Sequence, residues 1–347
     1  MRILAISTMR NEGMHLLEWL AHHRAIGVTD FLIATNDCAD GTDTMLERLA
    51  AAGLVTHLHN EVPPGRSPQW AMLKAAWDHP LVDACDWALA IDADEFVNPR
   101  IARDLPGLIA AAAGADAIAL PWRIFGSSGH VHLSREATLS RFLHAAPLPI
   151  GYPLSAASFK TLFRLDAPFA SLGVHRPRRA AGGLPRWVDG DLRPLPESFA
   201  RTDGRILLPG HGASAVALNH YCLRSVAEFM IKRDRGLPNR QGKAVDLAYW
   251  VERNFNAVEE VSILEHLPEM RAELARLRAL PGLAELEEKA HLWARRRLEE
   301  LLRDPDEVRL YGRLLLSGDS RVLSFEEGQR LARLYLAAVE AGGREDA

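Results

Sequence analysis

Asp92 and Asp94 stand one residue apart at the end of an apolar run, Trp87-Ala-Leu-Ala-Ile91. Two carboxylates so close repel each other unless a cation or protons neutralise them. A hard divalent ion that keeps phosphate partners meets that need, because carboxylate oxygens suit Mg²⁺ or Mn²⁺. The chemistry implied is the handling of a phosphorylated ligand through a metal. A strand end capped by solvated acids is the plain alternative. Trp87, Leu89 and Ile91 alternate with small residues, which predicts a strand buried among helices. Residues two apart on a strand share a face. Both carboxylates are therefore expected to leave the strand on the same side, at the carboxyl edge where open α/β sheets bind ligands.

The elements ahead of this strand must bring other side chains to the same edge. Residues 2–7 read as a first strand, followed by the polar Thr8-Met-Arg-Asn-Glu12. A helix is predicted over about 13–25, with Leu16, Leu17 and Leu20 on one side and Gly27 as its stop. Residues 31–34 form a second strand that runs into Asn36-Asp-Cys-Ala-Asp-Gly-Thr42, and a second helix carries Met45, Leu46 and Leu49. Residues 54–58 are the third strand, and Ser67-Pro68 opens a third helix. This alternation predicts a parallel, doubly wound sheet. One pocket could then collect Arg10, Asn11, Asn36, Asp37, Asp92 and Asp94. No Gly-x-Gly-x-x-Gly follows the first strand and no Walker loop occurs, so a nucleotide would be held by side chains and a metal.

Further on, residues 117–124 read as a strand and 130–215 as Pro-, Gly- and Arg-rich functional loops with short strand-like pieces. Residues 217–221 are a late strand ending at His220, and Ser225 caps a helix that Gly236 ends. The rest, about 245–347, is helical and charged. Amphipathic helices packed on the core are the expectation there, with a homodimer interface as the sharper option.

At 347 residues, 48% hydrophobic and 25% charged, the chain has the composition of a soluble globular protein with a sizeable core. A net charge of -4 argues against nonspecific nucleic-acid binding. Cys38, Cys85 and Cys222 are too sparse for a disulfide framework or a zinc site, which fits a reducing compartment. No apolar run is long enough to span a bilayer, and the start is too short for a signal-peptide core. A cytoplasmic protein is expected, with peripheral membrane contact left open, although no basic amphipathic anchor stands out.

Three pieces together resemble a glycosyltransferase of the GT-A fold, closest to the family 2-like and family 92-like enzymes. They are Thr8-Met-Arg-Asn-Glu12 before a helix with Glu18-Trp19 and His23-Arg24; Asn36-Asp-Cys-Ala-Asp-Gly-Thr42; and Ile91-Asp-Ala-Asp-Glu-Phe96, a DxD-type motif. Trp122 to Gly129, Phe159-Lys160, Gly173-Val-His175, and His220-Tyr221 followed by Arg224-Ser225 agree with them in order. The resemblance implies a Rossmann-like, mostly parallel sheet flanked by helices. It covers a transferase domain over 1–240, split into a nucleotide-binding half (1–100) and an acceptor-side half (101–240), with a helical extension over 241–347. It implies transfer of a sugar from a nucleotide-diphosphate sugar, a UDP-sugar first, to a hydroxyl of a glycan or other acceptor, with inversion, in glycan or polysaccharide synthesis. Mn²⁺ or Mg²⁺ would bridge the donor diphosphate.

By the same resemblance Asp94 is a metal ligand, and Asp92 contacts ribose, sugar or metal. His220 is the third ligand, with His175 competing. Thr8, Arg10, Asn11, Glu12, Asn36 and Asp37 would meet the nucleotide. Asn36 stands where many family 2 enzymes place an aspartate, which bears on the base preference. Lys160 would meet the diphosphate, or else lie on the surface. The general base is sought at Glu228, or at Glu95 or Asp189. Glu228 has an ordinary alternative as a first-turn glutamate.

The pairs His57/His59 and His130/His132 share strand faces but have no spaced third ligand in sequence, so packed or solvated histidines are expected. Two rival readings remain. One is a haloacid-dehalogenase-like Mg²⁺-dependent sugar phosphatase, which the position of the motif on the fourth strand and Phe96 in it oppose. The other is a nucleotide-sugar-binding or interaction module without turnover.

Overall fold

The computed structural model describes residues 1–62, 65, 67–204, 207, 212–236 and 245–341. Its centre is one mixed sheet. The strands are β1 (Ile3–Met9), β2 (Asp30–Thr35), β3 (Thr56–His59), β4 (Trp87–Ala90), β5 (Glu95–Pro99), β6 (Ala117–Ile124), β7 (Phe159–Arg164) and β8 (Val216–His220). They lie in the order β3-β2-β1-β4-β7-β6-β8-β5, with the short strand Trp187–Val188 beside β6. The pairs among β1 to β4, and β6 with β8, are parallel; β7 and β5 run antiparallel to their neighbours. The expected α/β class with a mostly parallel sheet flanked by helices holds. The strands β1 to β4 expected to be parallel are so; the antiparallel members are β5, which pairs with β8, and β7, which enters between β4 and β6.

Alternation along each strand explains the layering. Ile3 and Ala5 of β1 pack with Leu16, Leu17, Leu20, Met45 and Leu46, from α1 (Gly13–Ala25) and α2 (Thr42–Ala51). Leu4 and Ile6, on the other face, pack with Met72, Leu73 and Ala76 of α3 (Pro68–Trp77). A strand apolar on both faces needs a helical layer on each, and that is what the sequence supplies.

The C-terminal helices share this core. After α4 (Val226–Arg235) come α5 (Leu267–Arg278), α6 (Leu283–Leu301), α7 (Pro305–Ser317) and α8 (Phe325–Ala341). Leu267, Met270, Leu274 and Leu277 of α5 bury into the cluster that contains Leu16 and Trp19. A Cβ on Gly13 would stand 2.8 Å from Ala290 Cβ, so α6 lies close against the start of α1. The division expected between 240 and 241 lies outside the described residues. Among the described residues no helix is long and apolar enough to cross a membrane.

Candidate active site

The acidic motif sits on a turn, not on a strand end. β4 stops at Ala90, and the N–H of Glu95 donates to Asp92 O at 3.1 Å, closing a turn that reverses the chain into β5. The expectation that both carboxylates leave a continuous strand on one side is corrected by this reversal. Each meets its own ammonium. Asp92 Oδ2 accepts from Lys160 Nζ at 3.0 Å and Oδ1 from Gln69 Nε2 at 2.8 Å. Asp94 Oδ2 accepts from Lys232 Nζ at 2.6 Å, while its Oδ1 lies 3.6 Å from His220 Nε2.

Burial works against the Asp94 carboxylate, but Lys232 and His220 outweigh it and hold the group well below the usual carboxylate range. Burial lowers the His220 pKa in spite of Asp94. Glu95 has no exposure at all. Its Oε1 accepts from Trp122 Nε1 at 2.7 Å and its Oε2 from the Asp92 N–H at 2.8 Å, with Lys160 Nζ at 3.4 Å. Burial, joined by Asp92 and Asp94 and opposed by Lys160, pushes Glu95 up to about 8. Lys160 is buried in β7 under the turn, which corrects the surface alternative: an ammonium is stable there because it pairs with Asp92 at 3.0 Å, with Glu95 Oε2 3.4 Å away.

Beside the turn lies a cavity of about 30 Å³, with Asn11, Glu12, Asp40, Arg224, Lys232 and Trp293 in its walls. Asn11 and Asp40 follow β1 and β2, so the cavity opens at the carboxyl edge of the parallel strands. Lys232 comes from α4 and Trp293 from α6. Three non-glycine residues here have left-handed backbones: Asn11 (φ 53°), Asp37 (φ 49°) and Arg224 (φ 56°). Such conformations cost of order 1 kcal/mol or more each and cluster at functional sites. Arg224 is 7% exposed; its guanidinium reaches Ala93 O at 3.2 Å and Glu12 at 3.6 Å, and its Nε has no partner among the described residues.

The other sequence candidates fall as follows. Arg10 donates to Asp37 O at 3.3 Å and Asn36 Nδ2 to Asp37 Oδ2 at 3.0 Å, both near the surface; Asn11 Oδ1 accepts from Ala39 N at 2.7 Å. Thr8 is half-buried at the end of β1. Glu12 is ion-paired with Arg235. Glu228 closes a capping box with Ser225 and takes a fork from Arg141 at 3.2 and 3.3 Å, with His15 Nε2 3.5 Å away. Asp189 accepts from the N–H groups of Asp191 and Arg193, shaping a turn beside β6. His175 Nδ1 lies 2.9 Å from Phe159 O, and the Trp122 ring packs beside both His175 and His220.

Arg224 and Asp40 lie within the matched motifs, but the sequence assigns neither a role, and it does not single out His15, Lys232, Arg235 or Trp293. Asp40 could have been found from its Asx pattern before Thr42, whose N–H and hydroxyl it accepts at 2.9 and 2.6 Å. His15, Lys232, Arg235 and Trp293 carry no local signal. Burial, with Arg224 adding to it, sets His15 well below the usual histidine range, so it is neutral at pH 7.

The expected metal set does not converge. Among the described residues, the group of three or more metal-type ligands whose atoms lie within 4.8 Å of one another is Glu47, His57 and His59, at the sheet edge. Glu47 on α2 thus stands where the sequence suggested no third group. Asp92, Asp94 and His220 do not meet that distance together, and both carboxylates are already neutralised by lysines.

No protein-family model matches the chain. Over 99 residues it is 33% identical to a glycosyltransferase family 92 protein of Ricinus communis, a stretch that makes up 27% of this chain and 17% of that relative's length. The likeness to family 92 glycosyltransferases carried by the motifs is thus also a likeness in aligned sequence. Among solved structures, S. aureus TarS 1-349 is similar at 16% identity and a TM-score of 0.34, over 87% of this chain and 91% of that one. The same TarS fragment in complex with UDP gives 14% and 0.31, over the same shares.

Proposed function

We propose that this chain transfers a sugar from a nucleotide-diphosphate donor, a UDP-sugar first, to an acceptor hydroxyl, with inversion at the anomeric carbon. One juxtaposition carries the reading: the carboxylates Glu12, Asp40 and Glu228 share a cavity wall with Arg224 and Lys232 at the carboxyl edge of the parallel strands, with Asp92 and Asp94 outside that wall. Cations of that kind suit a diphosphate, and carboxylates suit ribose or sugar hydroxyls. The aligned likeness to a family 92 glycosyltransferase supports the same reaction class.

Of the three candidate bases, Glu228 is the one in the cavity wall, and neutral His15 beside it offers a second site for the acceptor's proton. Glu95 has no exposure and Asp189 holds a turn, which disfavours both. The half-buried Trp293 suits a sugar ring. Exposed Leu334, Tyr335 and Leu336 on α8 support pairing of two copies through the C-terminal helices.

The test is calorimetric titration of the full chain with UDP, GDP and dTDP, followed by turnover of the matching nucleotide sugars. Wild-type binding of one nucleoside diphosphate and at least a tenfold loss in Arg224→Met, which removes a cation of the cavity wall, are expected. Absence of binding by all of them would refute the reading.

A further inference from the structure

We infer that Lys232, with Arg224 beside it, supports departure of the nucleoside diphosphate here, so that transfer needs no divalent cation. This rests on the glycosyl-transfer reading above. A paired-acid motif is expected to hold a metal because its charges need neutralising, and in this fold that need is already met. Asp94 gives Oδ2 to Lys232 at 2.6 Å, and Asp92 gives Oδ2 to Lys160 at 3.0 Å. A divalent ion on Asp94 would have to displace an ammonium that is also tied to Cys222 O at 2.8 Å. It would add two positive charges to a pocket already in balance. Nor does the turn present Asp92, Asp94 and His220 as a convergent donor set.

Lys232 is placed to do more than balance charge. Its side chain is 11% exposed and lies in the cavity wall. An ammonium has three N–H donors; two are given to Asp94 and Cys222, which fixes the group and leaves the third for a ligand oxygen. Arg224 adds a buried Nε donor without a partner among the described residues, on a backbone held at φ 56°. A fixed cation in a site of low water content stabilises charge that develops on a leaving group, with little reorganisation. In the step, the bond from the anomeric carbon to the diphosphate oxygen breaks and its electron pair leaves with the diphosphate. The acceptor oxygen bonds to that carbon, and its proton passes to the Glu228 and His15 pair.

The experiment is titration of the full chain with UDP, GDP and dTDP, in EDTA and again with MnCl₂. For the nucleotide that binds, the wild-type Kd should change by less than about threefold between the two conditions, under about 0.7 kcal/mol. Lys232→Met, which keeps the stem, should lose at least about tenfold in EDTA and regain part of it with Mn²⁺, because Asp94 is then free to take the ion. Wild-type affinity that falls more than tenfold in EDTA would overturn the inference while leaving the glycosyl-transfer reading intact. Failure of every nucleotide to bind in either condition would overturn both. The wild-type comparison decides even if Lys232→Met does not fold.

Discussion

Lys160→Met probes the charge balance beneath the acidic turn. The Lys160 ammonium lies 3.0 Å from Asp92 Oδ2 and 3.4 Å from Glu95 Oε2, on a side chain 1% exposed. At an effective dielectric of about 20, the contact with Asp92 is worth about 5 kcal/mol of Coulomb attraction before desolvation, and Glu95, pushed up to about 8, adds a charge of its own only above that pH. Desolvation offsets much of this, and removing one partner of a buried pair costs about 3–5 kcal/mol net. Methionine keeps the volume of the stem, so the loss is of charge. With about 2.1 cal/mol/K of unfolding entropy per residue over 347 residues, that cost corresponds to a fall of about 4–7 °C in Tm.

The deficit also depends on pH. Because Glu95 is pushed up to about 8 in the fold, its contribution is complete below the ordinary value near 4.5 and is lost as pH rises through about 8. In the variant Glu95 no longer has an ammonium to ionise against, so it holds its proton to higher pH. The gap between wild type and variant should therefore widen only above pH about 8, by about 1.4 kcal/mol per pH unit. Calorimetric melts at pH 6, 7.5 and 9 measure both effects. A deficit below about 1 kcal/mol at every pH would show that Lys160 is not the counter-ion the acids depend on.

Three further outcomes are expected. Burial pushes His23 down to about 4, so stability should fall by up to about 3 kcal/mol as pH drops from 6.5 to 4, and melts that stay flat over that range would refute its neutral burial. Trp293→Ala should weaken nucleotide-sugar or acceptor binding by about tenfold, the scale of one aromatic contact, with Tm within a few degrees of wild type; unchanged affinity by calorimetry would remove it from the site. If two copies pair through α8, the double variant Leu334→Glu, Leu336→Glu should run as a monomer in light scattering where the wild type runs as a dimer; a wild-type monomer would end that reading.

Much of the scaffold was legible because it is written locally. The 3.6 period of Leu16, Leu17 and Leu20 gives α1, and the Ser225 to Glu228 capping box gives the start of α4. What escaped depends on pairing across long separations. Lys160 reads as a surface residue in Phe159-Lys-Thr-Leu-Phe163; only the juxtaposition of β7 with the turn at Asp92 buries it. β5 escaped because Glu95 and Asn98 interrupt its apolar pattern; Glu95 accepts from Trp122 Nε1 and Asn98 donates to Ser262 Oγ, both on other elements. Lys232 and Trp293 sit on helices whose charged faces look solvated until the cavity is seen.

The closeness of Gly13 to Ala290 ties the size of one residue to that of the other. A larger side chain at either position would lever α6 away from α1 and carry Trp293 with it. The tail is therefore not an appendage that could be trimmed or exchanged for another helical segment while the sheet kept its ligand. Any graft of the first half onto a foreign partner would have to bring this helix along.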